Sequence, residues 1–170
     1  MNTIAKELAK QAKSKGICDD WHKQLKSLTD KRAMVDMYIR GIDFCLSNDY
    51  PSNDYIRANF KGIMEEKGVF LDDDVSLVNF RRCVALGKTK GSVKATRYKV
   101  CEVFAKHESN LNIIVEDNAF VEIDMFDNSV VSVTSSGKAK VHINHYGGTL
   151  TFDEREESII KVVEKNKKTY

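Results

Sequence analysis

Two periods of apolar residues divide this chain. In the first part the apolar positions recur three and four residues apart, the repeat of an amphipathic helix. Ile4, Leu8 and Ala12 align on one face and Gly16 ends the stretch. Asp19 or Asp20 is placed to cap a second helix carrying Trp21, Leu25 and Leu28. Thr29 then precedes a longer stripe of Met34, Tyr38, Gly41, Ile42 and Cys45. A glycine inside such a stripe costs about 1 kcal/mol relative to alanine, so Gly41 reports close packing. The segment Asn48 to Pro51 is a break, because the chain's one proline is disfavoured within a helix but tolerated at a start. Ser52 or Asn53 caps a fourth helix bearing Ile56, Phe60 and Ile63, which Gly68 closes.

From Val69 the period falls to two, and between Ile113 and Thr151 a ten-residue register takes over: IIVEDNAFVE, IDMFDNSVVS, VTSSGKAKVH and INHYGGTLT, aligned without a gap. Position one is Ile113, Ile123, Val133 and Ile143; position seven is small at Ala119, Ser129, Ala139 and Thr149; position nine is Val121, Val131, Val141 and Thr151. Positions five and six are Asp-Asn, Asp-Asn, Gly-Lys and Gly-Gly, pairs compatible with positive φ. Backward extension gives one plausible further row, Val103 to Asn112, and a degraded one in which Lys99 stands where a small residue is expected.

Alternation within a row sends positions seven, nine, one and three inward, as Ala119, Val121, Ile123, Met125 and again Ala139, Val141, Ile143, His145. Glu122, Asp124, Ser132, Thr134, His142 and Asn144 take the other face. Two architectures meet this pattern. An antiparallel meander makes each row a strand joined by a tight turn; a parallel β-solenoid makes two rows one coil of about twenty residues. The position-four series Glu116, Phe126, Ser136, Tyr146 alternates polar and aromatic, as if rows two apart were neighbours, and favours the solenoid. The fold expected is α+β: a helical domain over 1–70, then a solenoid over 71–170. Its closing segment is rich in β-branched residues (Ile159, Ile160, Val162, Val163), which favour a strand, with a short helix as the alternative. Either is expected to cap the coil edge.

The unit D-N-[AS]-x-V, present at Asp117–Val121 and Asp127–Val131, resembles the short-repeat β-solenoid modules of phage, prophage and bacterial adhesin-like proteins. The resemblance covers about forty residues, and rows three and four depart from Asp-Asn. It implies a right-handed β-helix serving as a scaffold or contact surface, and it brings no catalytic residues.

Charge changes this picture only in its distribution. The net charge is +2, but residues 1 to 32 carry eight Lys/Arg against four acids, and 33 to 80 carry four against nine. Residues 81 to 106 carry eight bases against Glu102 alone, and an acidic run without a base follows from Glu108 to Asp127. Arg81, Arg82, Lys94, Arg97 and Lys99, with Tyr98 and Phe104 among them, are the candidate nucleic-acid contacts, neutralising phosphates and stacking on bases.

Other chemistry is thin. Gly87-Lys88-Thr89 resembles the end of a phosphate-binding loop, but Arg82 stands where its first glycine belongs and no helix pattern follows. His142 and His145, three apart in a strand, point to opposite faces and share no metal. Asp117 and Asp127 offer one carboxylate per turn, too few for Ca²⁺, and Asp72 to Asp74 reads as a solvated loop. The four cysteines are scattered without metal-ligand or disulfide-scaffold spacing, which reads as reduced thiols. With no long apolar run and no leader pattern, the chain is expected in the cytoplasm and off the membrane. The function expected is a non-enzymatic binding or assembly module, possessing no cofactor, partnered by protein and prone to homo-oligomerise; the alternative is nucleic-acid binding through 81–106.

Overall fold

The computed structural model describes residues 3–170. They form two compact units that divide between Lys67 and Gly68, a little before the 70/71 division expected.

The first unit is helical: α1 (Thr3–Ser14), α2 (Asp19–Ser27), α3 (Lys31–Arg40), α4 (Ile42–Ser47) and α5 (Asn53–Asn59), closed by a 3₁₀ turn, Met64–Lys67. Its core takes Leu8, Ala12, Leu25, Met34, Ile42, Cys45, Ile56 and Phe60 from the predicted stripes and adds Ala5, Ala9 and Met37, while Ile4, Trp21, Leu28, Tyr38 and Ile63 are half-buried. Local details differ from expectation. Asp19 and Asp20 lie inside the first turn of α2 rather than capping it, where carboxylates face the positive end of the helix dipole. Asp30, unassigned in the sequence pattern, caps α3, accepting from the Ala33 N–H at 3.0 Å. The long stripe is two helices, α3 and α4, broken at Gly41. A β-carbon there would lie 3.0 Å from the Trp21 ring, so the glycine lets the indole close against the break. Ser52 caps α5 as expected, but the helix stops before Ile63.

The second unit is a parallel β-solenoid of about five turns. Strands β1 (Val69–Leu71), β3 (Arg82–Leu86), β5 (Val100–Ala105), β7 (Phe120–Met125), β9 (Lys140–His145) and β11 (Ile159–Glu164) form one sheet. Strands β2 (Asp74–Val78), β4 (Lys90–Ala95), β6 (Asn110–Val115), β8 (Val130–Ser135) and β10 (Thr149–Glu154) form the other. The meander is thereby excluded, since every pairing is parallel and joins strands two apart in sequence. The final segment is the strand β11.

Side chains stack at a twenty-residue step: Cys101 pairs with Val121, Val121 with Val141, and Leu111 with Val131. Those inward positions, with Val103, Ile113, Ile123, Val133 and Ile143, make the core. The position-four series becomes a ladder in which Phe126 and Tyr146 stack at 4.7 Å between centroids. Lys106 lies over Phe126 at one end and Lys165 over Tyr146 at the other.

The gapless alignment fails in its fourth row. β10 pairs Leu150 with Val131 and Phe152 with Val133, a step of nineteen residues, so one residue is missing at the Gly147-Gly148 corner. Gly148 takes the small position seven, where a β-carbon would fall 2.3 Å from the Ser129 carbonyl oxygen. Leu150 and Phe152 therefore face the core in place of Thr149 and Thr151, which are exposed. Two further assignments shift: Asp124 is on the outer face but withdrawn from solvent, and His145 is only half-buried at its strand end.

The corners are built alike. One column stacks Asn79, Arg97, Asp117, Gly137 and Glu156, the other Asp72, Gly87, His107 and Asp127, all with φ between 52° and 68°. A side chain of one coil reaches the main chain of the coil before it. Asp117 Oδ2 accepts from the Arg97 N–H at 2.8 Å, Asp127 Oδ2 from the His107 N–H at 3.1 Å, and His107 Nδ1 from the Gly87 N–H at 3.1 Å. In both columns position five is left-handed, a conformation that Asp and Asn tolerate better than most residues, whereas at the Gly147-Gly148 corner Gly148 rather than Gly147 has positive φ.

Candidate functional site

The coil geometry disperses the basic segment. Arg82 points out from β3 and pairs with Glu102 one coil on at 2.6 Å; Lys94 points out from β4, in the other sheet, and pairs with Glu116 at 2.9 Å. Lys88 and Glu108, Lys90 and Asp74, and Lys106 and Asp127 are matched in the same way. The basic and acidic blocks of the sequence thus lie one coil apart and neutralise one another.

Arg81, Arg97 and Lys99 remain without an ion-pair partner among the described residues. They converge on one corner: the Arg81 carbonyl accepts from the Glu102 N–H, while Arg97 and Lys99 occupy the bend between β4 and β5. Tyr98 stands between the last two at 82% exposure, with Val78 and Val100 also open to solvent. This corner offers three cations, a free aromatic face and a small apolar patch. Phe104 is partly buried on the outer face of β5, away from the bend.

The remaining candidates resolve into structural roles. Asp117 and Asp127 sit at opposite corners of the coil, each occupied with a main-chain N–H, so they are not stacked ligands. Asp72 Oδ1 accepts from the Lys88 N–H, and Asp73 Oδ2 from the Leu71 N–H. Gly87-Lys88-Thr89 is a corner that leads into β4 rather than a helix, with the Thr89 hydroxyl donating to the Leu86 carbonyl. His142 and His145 face apart: His142 Nε2 meets Asn144 Oδ1 at 3.3 Å, and His145 Nδ1 meets Glu164 at 2.8 Å. Asn144 Nδ2 in turn donates to Asp124 Oδ1 at 2.7 Å, closing a polar row on the outer face of the six-stranded sheet. Burial pushes the Cys45 and Cys83 thiols up to about 12 and Cys101 to about 11, which suits inert packing rather than nucleophilic attack.

The last coil is the feature that the ten-residue alignment concealed. β10 and β11 each have one strand neighbour, so the expected capping segment is itself an edge. Leu150, Ile160 and Val162 touch the core from one side only, and Phe152, at the register of buried Val133, is 53% exposed. The alternation Leu150-Thr151-Phe152 was the available signal, overridden by the assumption that no residue is missing. Among the described residues no helix is long and apolar enough to cross a membrane. No protein-family model, no curated protein and no solved structure matches this chain significantly.

Proposed function

We propose that the solenoid is a non-enzymatic assembly module whose last coil receives the last coil of a second copy of this chain. The observation that carries this reading is Phe152, a core position by register with nothing stacked on it. Around it, β10 and β11 present main-chain donors and acceptors along a parallel edge, a ready template for further pairing. Two identical ends meeting across a twofold axis cover both rows at once and terminate, which gives a closed dimer rather than a fibre. The likeness of the Asp-Asn units to phage and adhesin solenoids, which serve as scaffolds, supports the same class of role and a mobile-element origin. Light scattering coupled to size exclusion tests it. The expected mass is twice the 19.3 kDa chain, falling to one chain in Phe152→Lys. A monomer at all concentrations, or a dimer indifferent to that change, overturns the proposal.

A second reading rests on Tyr98, exposed between Arg97 and Lys99 beside Arg81. It makes this corner a contact for single-stranded nucleic acid, with the ring stacking on a base. Charge reversal at Arg81 and Arg97 then removes salt-sensitive binding, whereas reversal at Arg82 and Lys94, already paired, leaves most of it; equal effects at both pairs refute the assignment.

A further inference from the structure

The lysines of the first two helices, outside both surfaces above, are gathered rather than spread. Lys6, Lys10 and Lys13 fall at i, i+4 and i+7 of α1, so all three lie along one flank of that helix. α2 packs beside α1 and brings His22 and Lys26, again four apart, to the same side. The result is an open groove lined by Lys6, Lys10, Lys13, Ser14, His22 and Lys26, with Ala9 at its floor.

Acids that would ordinarily neutralise such a group are engaged elsewhere or spent once. Glu7 accepts from the Tyr55 hydroxyl at 2.8 Å. Asp19 holds Lys13 at 2.6 Å, and that contact keeps the Asp19 carboxyl below its usual range. Lys6, Lys10 and Lys26 have no ion-pair partner among the described residues and are exposed. Like charges four apart on one helix repel, so three unpaired ammonium groups around one concavity favour an anion there. By contrast, six bases of the solenoid, Arg82, Lys88, Lys90, Lys94, Lys106 and Lys138, meet an acid one coil away.

We infer that the α1–α2 groove binds a run of phosphates, through Lys6, Lys10 and Lys26 with His22 as a hydrogen-bonding group. Successive lysines on α1 rise by about 6 Å and 4.5 Å, a ladder of point charges suited to a flexible anionic chain rather than to one carboxylate. No Phe, Tyr or Trp is among the residues lining the groove, so recognition is mainly of the phosphates. A phosphodiester strand and a free oligophosphate both carry this chemistry.

The test uses the full chain with two probes, a fluorescent oligothymidylate read by anisotropy and inorganic tripolyphosphate read by calorimetry. Neutralising three or four charges on a single strand gives a log–log salt slope of about −2 to −3, hence roughly a 20- to 50-fold loss of affinity between 50 and 200 mM salt. The double change Lys10→Glu, Lys26→Glu, on exposed positions whose helicity circular dichroism verifies, abolishes binding of the responsive probe. Binding of the oligonucleotide with weak tripolyphosphate affinity assigns a nucleic-acid backbone; tight tripolyphosphate binding with weak oligonucleotide affinity assigns a free oligophosphate. Binding of neither probe, or binding lost on Arg81 and Arg97 reversal but unchanged by the groove variant, overturns the inference. Assembly through Phe152 is read from mass alone and stands or falls separately.

Discussion

Replacing Asp117 separates the two things this residue does at its corner. Its φ of 61° is left-handed, and its carboxylate accepts from the Arg97 N–H of the preceding coil at 2.8 Å. Asn keeps an acceptor of the same length and tolerates the conformation, so Asp117→Asn costs about 0.5 kcal/mol or less. Gly removes the acceptor but relaxes the backbone; a hydrogen bond at an exposed corner is worth about 1 kcal/mol, partly returned by the relief of strain. Ala loses the bond and forces a β-carbon into the left-handed region, adding about 1 kcal/mol more, for a total near 2 kcal/mol. With a urea m-value of about 2 kcal/mol/M, the midpoints fall by about 0.25 M or less, 0.5 M and 1 M respectively. The assay is equilibrium urea unfolding followed by the β signal in circular dichroism. Tryptophan fluorescence is the wrong probe, because the only tryptophan, Trp21, belongs to the helical unit. Alanine and glycine indistinguishable would show that the left-handed backbone carries no weight. Asparagine as damaging as alanine would refute the inter-coil hydrogen bond.

Other expectations follow from single contacts. The Ser129 hydroxyl is buried without a hydrogen-bond partner, so Ser129→Ala is neutral or stabilising by about 1 kcal/mol in the same urea assay; a loss of that size would contradict the vacancy of its oxygen. Phe126→Ala removes a fully buried ring from between Lys106 and Tyr146 and costs about 3–5 kcal/mol, read as a fall in thermal midpoint. Under native conditions a thiol reagent labels Cys18 alone, since Cys45, Cys83 and Cys101 are buried; two or more rapidly labelled sites would disprove the packing. Those three thiols hold their protons to about 11–12 when folded and release them near 9 when unfolded. Their contribution to stability is therefore complete below pH 9 and lost as pH rises toward 12, so urea midpoints decline over that window and decline less in Cys83→Ala.

Much of this architecture was legible because both periods are strict. Leu8 and Ala12 of the stripe are buried in α1 beside Ala5 and Ala9, while Ile4 is only half-buried, and the aromatic alternation of Phe126 and Tyr146 identified the coil as two rows. Helix starts were read less well. Thr29 and Asp30 carry equivalent capping oxygens, and which one meets an N–H depends on chain entry that sequence does not specify. The break at Gly41 needed the position of Trp21, twenty residues earlier and outside any local signal. The fourth row misled because Gly147-Gly148 fits the turn with or without a missing residue, and only pairing to β8 shows that Phe152 faces inward. For the basic segment, composition recorded eight cations but not that Glu102, Glu108 and Glu116 stand one coil beyond them; of the five residues singled out, Arg81, Arg97 and Lys99 share a corner while Arg82 and Lys94 lie in different sheets.

The pairing of bases with acids one coil on bears on how the chain winds correctly. Rows of nearly identical shape offer many wrong neighbours, since Val121 would pack on Val131 about as well as on Val141, and hydrophobic fit alone scarcely tells one coil from the next. Charge tells them apart. A slip by one coil, twenty residues on, would set Lys88, Lys94 and Lys106 against Asn128, Ser136 and Gly147 in place of Glu108, Glu116 and Asp127, and those ion pairs would be lost. The alternating blocks, which nearly cancel in the total, thus act as an address for each turn, giving a monotonous scaffold a defined order of assembly.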